Sequence, residues 1–181
     1  MSNVPLVELE SASGAVKEQL DQIQAAFGTV PAMFKAVANS PAALASMWGS
    51  FGAFADGALG SALSEQIAVA VANRNSCEYC LAAHTALGRK AGVTRAALAA
   101  AQDGESDDPR VAALLGFAVK LVRERGQVTP DDVQALRGHG WGDEQIVEVI
   151  AQVALNLFTN YVNIALAVPV DFPTVELRRV D

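Results

Sequence analysis

The sequence predicts an all-α fold, and three observations support this prediction. Valine, leucine and isoleucine fall at helical rather than alternating spacing along the chain. Hydrophobic residues make up 51% of the 181 residues and charged residues only 18%, which argues against a disordered chain. Capping residues, prolines and glycines stand at the ends of the apolar stretches. The length suits one domain, or two closely fused halves that share a core.

Start and stop signals divide the chain into a series of helices. Ser40, Ser64, Thr94 and Asp108 are predicted N-caps, and Gly92 is a predicted C-terminal glycine. After an extended arm over 1–14, we expect helices over 16–27, 32–38, 41–55, 65–75, 77–91, 95–102, 109–125, 130–138 and a long helix or helix pair over 143–167.

The predicted helix over 41–55 carries an aromatic stripe. Met47, Trp48, Phe51 and Phe54 recur at helical spacing on one side of it. Such a stripe packs in a core or a subunit interface more often than it lines a ligand pocket. We therefore expect core or interface packing here.

Composition and charge exclude several classes of partner. A net charge of −7 and a pI near 4.8 disfavour nucleic acid and anionic membrane surfaces, because both would be repelled. Residues 42–63 and 145–170 are apolar enough to suggest membrane spans, yet their internal polar residues fit buried bundle helices better. The high apolar content predicts a homo-oligomer. The start of the chain lacks the basic and apolar regions of a secretory leader, so we expect a cytoplasmic protein.

The chemistry of the chain is concentrated between Ser64 and Gly92. Cys77, Cys80 and His84 differ by three, four and seven positions, so their side chains share one face of a helix. Residues 73–76 form a predicted corner that leaves Cys77 near the helix N-terminus, where the dipole favours a thiolate. Glu65 stands at the head of the preceding antiparallel helix and can return to the same level.

Three interpretations of this Cys-Glu-Tyr-Cys-x-x-x-His motif compete. A zinc site would need a fourth ligand, and nothing in the sequence brings His139 near. Inert packing is common for cysteine and for a lone histidine. A thiol–disulfide redox centre is favoured, because both cysteines, a helical histidine and an upstream glutamate coincide. Glu65 alone can equally be read as an acid that stabilises a helix dipole.

The redox interpretation has a direct chemical basis. A thiolate cleaves a peroxide by attacking an oxygen, and a second thiol condenses with the resulting sulfenic acid to form a disulfide. A base is needed because an ordinary thiol is only partly ionised at neutral pH. His84 can provide this base one turn after Cys80, with Glu65 orienting it. The spacing does not decide which cysteine attacks: Cys77 has the better helix terminus, and Cys80 has the nearer histidine.

A faint internal repeat appears when the chain is shifted by 79 positions. Residues 65–67 then align with the identical triplet at 144–146. The second copy has Asn156, Thr159 and Asn163 where the first has the two cysteines and His84. We expect the second copy to keep the scaffold and only the first copy to keep the reactive groups, with the two halves related by a pseudo-twofold axis.

The pattern Glu-x11-Cys-x-x-Cys-x-x-x-His, in an alanine-rich helical chain with a degenerate second half, resembles the carboxymuconolactone decarboxylase-like superfamily. The closest resemblance is to its alkyl hydroperoxidase D-like (AhpD-like), peroxidase-related branch. It implies an AhpD-like helical bundle with two pseudo-repeated halves, assembled as a homo-oligomer, often a trimer or hexamer. The implied domain spans 30–173, with an active repeat over about 41–102 and a degenerate one over about 108–168. Residues 1–29 then form an arm and first helix, and 174–181 form a tail.

The resemblance also implies roles for individual residues. Cys80 would be the peroxidatic thiol and Cys77 the resolving one, while His84 and Glu65 would form a proton relay. Some members carry a histidine between the cysteines; Tyr79 occupies that position here and would have a supporting or packing role. Decarboxylase members lack the dithiol, so its presence favours the redox branch.

The sequence therefore predicts a thiol peroxidase that reduces hydroperoxides without a metal or other cofactor. An external dithiol, carried by a lipoyl-bearing or thioredoxin-like protein, would regenerate it, as the resemblance implies. The alternatives are a general thiol–disulfide oxidoreductase, a decarboxylase-like enzyme, and a non-enzymatic redox sensor or oligomeric scaffold.

Overall fold

The computed structural model describes residues 2–178, and this part of the chain contains helices and connecting segments but no strands. The all-α prediction is confirmed. Nine helices follow one another in the described chain: α1 (Gly14–Phe27), α2 (Ala32–Val37), α3 (Pro41–Ala55), α4 (Ser61–Arg74), α5 (Glu78–Lys90), α6 (Arg95–Gln102), α7 (Pro109–Arg123), α8 (Pro130–Gly138) and α9 (Asp143–Ala165).

Most of the predicted helix starts are confirmed by side-chain caps. Ser40, Thr94 and Asp108 each accept a backbone N–H of the first turn of α3, α6 and α7. The predicted cap at Ser64 is wrong, because α4 begins at Ser61 behind Gly60. Gly60 has a φ of +73°, a backbone conformation that side chains disfavour, and Ser64 lies inside the first turns.

Helix α4 forms the centre of the molecule and packs against α5, α6, α7 and α9. Every residue from Ile67 to Asn73 is buried, instead of the single inward stripe that we expected. A helix that is apolar on all sides belongs in a core, and its alternating alanines and valines allow neighbouring helices to approach closely. The residues at both ends of α4 are therefore fixed from several sides.

Helix α9 is one continuous helix of 23 residues rather than a helix pair. Its Glu148 carboxylate accepts the backbone N–H groups of Ala58 (2.6 Å) and Leu59 (3.2 Å), which holds the loop before α4 against α9. The first copy of the predicted repeat bends at residues 75–77, whereas the corresponding stretch of α9 continues as helix. The pseudo-twofold relation and the predicted domain boundaries remain predictions.

The segment after α9 runs in extended form across the first half of the molecule. The Asp171 carboxylate accepts the N–H of Ala32 (2.6 Å), and the Asn73 side chain accepts the N–H of Arg178 (2.9 Å). Part of the predicted tail over 174–181 is thus docked, and its last three residues lie outside the described residues. Within residues 2–178, no helix combines the length and apolar character needed to cross a membrane.

Candidate active site

The two cysteines lie at the beginning of α5, where the predicted corner places them. Cys77 is the N-cap residue, and its Sγ accepts the backbone N–H of Cys80 at 3.3 Å. The two residues are joined by a disulfide, and both are almost completely buried, with 1% and 2% of their surfaces exposed. The pair therefore sits at the positive end of the α5 dipole, shielded from bulk solvent.

Glu65 and His84 form a direct contact between α4 and α5. The Glu65 Oε2 atom lies 2.8 Å from the His84 Nδ1 atom. Gly88, one turn after His84, permits this close approach, because an added Cβ would lie 3.4 Å from the Cβ of Glu65 and 2.7 Å from a methyl group of Leu98. The contact occupies one ring nitrogen and fixes the plane of the imidazole. Among the described residues, the other ring nitrogen, Nε2, has no hydrogen-bond partner.

Tyr79 joins three segments around the dithiol. Its hydroxyl accepts the N–H of Met33 at 3.2 Å near the Asp171 carboxylate, and its ring packs edge-on against Phe172. Burial, reinforced by the negative charge of Asp171, raises the pKa of the Tyr79 phenol. Tyr79 is therefore a neutral residue that ties α2 and the C-terminal segment to the first turn of α5.

Asn163 of α9 also reaches the dithiol, although the sequence did not suggest it. Its Nδ2 atom donates a hydrogen bond to Cys80 Sγ at 3.2 Å. The second half of the chain therefore contributes a polar contact to the dithiol. The available signal was the set of asparagines inside an apolar helix, which we interpreted as an argument against a membrane span and as the replaced reactive positions of the second copy.

Two adjoining cavities lie beside these residues. A cavity of about 40 Å³ has Cys80, His84 and Asn163 in its wall. A larger groove of about 340 Å³ is lined by Glu65 and His84 together with apolar side chains of α1, α3, α5 and α9. The residues that line both cavities are Phe27, Phe51, His84 and Leu87.

The aromatic stripe of α3 has a different place from the one predicted. Met47 is completely buried in the core, as expected. Trp48, Phe51 and Phe54 instead line the larger groove. The groove forms because α1, α4 and α9 surround this face of α3 but leave space beside it. The spacing of residues along one helix cannot reveal such a space.

Cys77 lines a third cavity. This pocket of about 210 Å³ is formed by the first turn of α5, the end of α9 and the segment that follows it. Cys77 does not line the two cavities that contain His84. The two cysteines thus line different cavities, which share Tyr79 and Asn163 in their walls.

No group of three or more histidine, cysteine, aspartate or glutamate residues suited to a metal ion occurs within residues 2–178. His139, the residue considered as an extra ligand, ends α8 and lines none of the three cavities around the cysteines.

The fold is an all-helical bundle in which a Cys-x-x-Cys pair, a histidine and a glutamate lie close together. Comparison with known proteins agrees with this class of fold. Residues 41–124 match the model of the carboxymuconolactone decarboxylase family. The chain is similar to an AhpD-core, peroxidase-related protein from Ralstonia eutropha JMP134, with 27% identity, a TM-score of 0.85 and coverage of 94% of this chain and 92% of that one. It is also similar to a peroxidase-related protein from Silicibacter sp. TM1040, with 25% identity, a TM-score of 0.80 and coverage of 93% and 91%.

A third structure shares the fold alone. The debrominase Bmp8, solved as its C82A variant with 2,3,4-tribromopyrrole, is 19% identical, with a TM-score of 0.79 and coverage of 94% of both chains. No curated protein matches the sequence. The chain has an AhpD-like fold, and its residues 41–124 are similar to the carboxymuconolactone decarboxylase family.

Proposed function

We propose that this protein is a thiol peroxidase that reduces hydroperoxides with the Cys77–Cys80 dithiol. The observation that carries this proposal is the shared cavity of Cys80 and His84, with Glu65 bonded to the far side of the imidazole. A nucleophile, a base and a group that orients the base are the parts that such a reaction needs.

Cys80 is the attacking thiol in this proposal. The spacing of the motif left the choice open, and the cavities supply a reason: Cys80 shares a wall with His84, whereas Cys77 faces another pocket. His84 Nε2 accepts the Cys80 proton, directly or through one water, while Glu65 holds Nδ1. The thiolate attacks the terminal oxygen of the hydroperoxide, the O–O bond breaks, and the alkoxide leaves as an alcohol with the proton from His84.

Cys77 completes the oxidative half of the cycle. Cys80 is now a sulfenic acid, and the Cys77 thiolate attacks its sulfur. A disulfide forms, and the oxygen leaves as water after taking up the proton that the Cys77 thiol released, so one hydroperoxide consumes both thiols. The Cα atoms of the two cysteines are 5.3 Å apart, within the range of ordinary disulfides.

The larger groove favours an organic hydroperoxide over hydrogen peroxide. Its volume of about 340 Å³ lies in the size range of small-molecule sites, and its wall is mainly aromatic and aliphatic. An alkyl or aryl group can lie there with its peroxide directed past His84 towards Cys80.

An external dithiol restores the reduced enzyme. Cys77 lines the pocket of about 210 Å³, so it is the sulfur that a lipoyl-bearing or thioredoxin-like reductant would attack. Two successive exchanges return both protein thiols and oxidise the donor to a disulfide. Such a cycle requires a reducing compartment, which agrees with a cytoplasmic location.

The protein acts as a homo-oligomer in this proposal, a trimer or hexamer as in the AhpD-like branch. Four large apolar side chains on one face of α9 are 42–65% exposed in the single chain: Val147, Ile150, Tyr161 and Ile164. A second copy of the chain would cover them. Native mass spectrometry gives the subunit number.

Stopped-flow mixing of the reduced protein with cumene hydroperoxide tests the proposed function. Two thiols should disappear per molecule of peroxide, and added dihydrolipoamide should support repeated turnover. A variant with both cysteines changed to serine measures the background. A general thiol–disulfide oxidoreductase would exchange with the dithiol but consume peroxide no faster than this background, and a sensor or scaffold would not turn over. Either result would contradict the proposal.

A further inference from the structure

The side-chain amide of Asn163 is buried, and only one of its two polar atoms has a hydrogen-bond partner. Asn163 lies on α9 and is 4% exposed, and its Nδ2 atom donates a hydrogen bond to Cys80 Sγ at 3.2 Å. Its Oδ1 atom is also buried and has no hydrogen-bond partner in the described structure. Burying a carbonyl oxygen without a donor is unfavourable, so such an atom calls for an explanation.

Apart from His84 Nε2, the other side-chain polar groups in the wall of the Cys80 cavity already have partners. The Thr159 hydroxyl donates to the backbone oxygen of Asn156 at 3.0 Å. The Tyr79 hydroxyl accepts the N–H of Met33, and His84 Nδ1 is held by Glu65. Within residues 2–178, Asn163 is the side chain that donates a hydrogen bond to this sulfur.

We propose that Asn163 is a catalytic residue that serves two successive states of Cys80. Its N–H stabilises the thiolate before attack, and its carbonyl oxygen then accepts the hydrogen of the sulfenic acid. This inference rests on the proposed peroxidase function and assigns a role to an atom that is otherwise unsatisfied.

Each atom of the hydroperoxide can be followed through the proposed reaction. The thiolate attacks the terminal oxygen, which carries the hydrogen of the hydroperoxide; the new S–O bond forms as the O–O bond breaks. The alkoxide takes its proton from His84. The original hydrogen stays on the oxygen now bonded to sulfur, and it can donate to Asn163 Oδ1 until Cys77 displaces the oxygen as water.

The chain offers a matched control in Asn160. It lies three positions earlier on α9, is completely buried, and also has one amide atom, Nδ2, without a partner. Its Oδ1 atom accepts from Asn75 at 2.8 Å, and it makes no hydrogen bond to either sulfur. If removing any buried amide from α9 changed the reactivity of Cys80, replacing Asn160 would therefore change it as much as replacing Asn163.

The experiment measures the alkylation rate of Cys80 by iodoacetamide against pH in a Cys77→Ser background. Asn163→Leu should move the pH midpoint of alkylation up by about one unit, since hydrogen bonds to charged groups are among the stronger ones. Reaction with cumene hydroperoxide at neutral pH should slow about tenfold, because the thiolate population falls by that factor. Dimedone trapping should show a shorter-lived sulfenic acid. Asn160→Leu should leave the midpoint unchanged.

Asn163→Asp is a second test variant, because aspartate has the same shape as asparagine but lacks the N–H donor. Circular dichroism identifies which variants are folded, and the Asp variant should also raise the midpoint. An unchanged midpoint in a folded Asn163 variant, or an equal shift in Asn160→Leu, would overturn the proposal. Alkylation requires no peroxide, so a shifted midpoint in a protein that fails to consume peroxide would refute the proposed function while supporting the thiolate contact.

Discussion

The contact between Glu65 and His84 determines what the imidazole can do. The side chains are 20% and 11% exposed, so the pair is largely shielded from water and its electrostatic interaction is less screened than at a surface. With Nδ1 bonded to the carboxylate, Nε2 is the nitrogen left for proton exchange. In the proposed mechanism, the glutamate acts on the thiol through the histidine and is therefore a positioning residue.

Replacing Glu65 with glutamine tests this role. The amide keeps the shape of the side chain but removes the charge that stabilises a protonated imidazole. We expect the pH midpoint of Cys80 alkylation to rise. The rate of peroxide reduction at neutral pH should fall about tenfold or more, which is a small part of the rate enhancement that a general base provides.

Glu144→Gln is the matched control for this change. Glu144 occupies the corresponding position of the second predicted copy, in the first turn of α9. It should behave as the unmodified protein does. An unchanged alkylation profile in Glu65→Gln would remove Glu65 from the relay and leave it as a helix-terminal acid.

The residues of the site differ in how well the sequence could predict them. Cys77, Cys80 and His84 share one helix, so their proximity follows from helical spacing alone. Glu65 requires only one further assumption, an antiparallel neighbouring helix, and its contact with His84 is present at 2.8 Å. Asn163 lies 83 positions from Cys80, and only tertiary packing brings the two together. Their catalytic roles remain predictions until the variants are measured.

At the scale of elements, the start of α8 illustrates how one side chain links two helices. The Asp132 carboxylate accepts the N–H of Thr129 at 2.8 Å in a capping box and both of its oxygens lie 2.6 Å from Lys120 Nζ on α7. The hydrogen bond from Lys120, followed by those from Thr129, lowers the pKa of Asp132 from 3.8 to about 2.

This lowered pKa predicts the pH range in which the link stabilises the fold. The stabilisation is complete above the ordinary pKa of 3.8 and is lost as the pH falls towards about 2, because the unfolded chain takes up the proton first. Asp132→Asn should therefore lower the melting temperature at neutral pH, and the difference from the unmodified protein should shrink below pH 4. Asp131→Asn, which changes the neighbouring acid of the same first turn, should show a smaller difference. A constant difference down to the lowest pH would contradict the assignment.

Helix boundaries were also predicted correctly where the signal lies in adjacent residues, and incorrectly where tertiary contacts determine them. The caps at Ser40, Thr94 and Asp108 could be predicted because a cap and its helix are adjacent in sequence. The predicted start of α4 was wrong by several residues. The observed start depends on a glycine with positive φ and on contacts from Glu148 of α9. The continuity of α9 was left open, since asparagine is compatible with both a helix interior and a corner.

At the scale of the whole molecule, the larger groove beside His84 is the feature that the sequence predicted least well. Its wall combines residues from five helices, and the aromatic stripe of α3 appeared more suited to a core. The all-α class was predictable because it depends on periodicity, and the AhpD-like bundle because a motif carried the resemblance. A cavity depends on where packing stops, which no local pattern encodes.

The arrangement of cavities gives the two sulfurs separate tasks. In the proposed mechanism, the substrate reaches Cys80 through the cavity that also contains His84, and the reductant reaches Cys77 through a different pocket. This division, with Cys80 as the attacking thiol, is the central claim.

Trapping the oxidised cysteine in single-cysteine variants tests this claim most directly. After one equivalent of cumene hydroperoxide, reduced Cys77→Ser should consume one peroxide and yield a dimedone adduct on Cys80. Cys80→Ser should consume peroxide no faster than a variant without cysteines and yield no adduct. An adduct on Cys77 in Cys80→Ser, with an unreactive Cys80 in Cys77→Ser, would reverse the assigned roles and contradict the proposed mechanism.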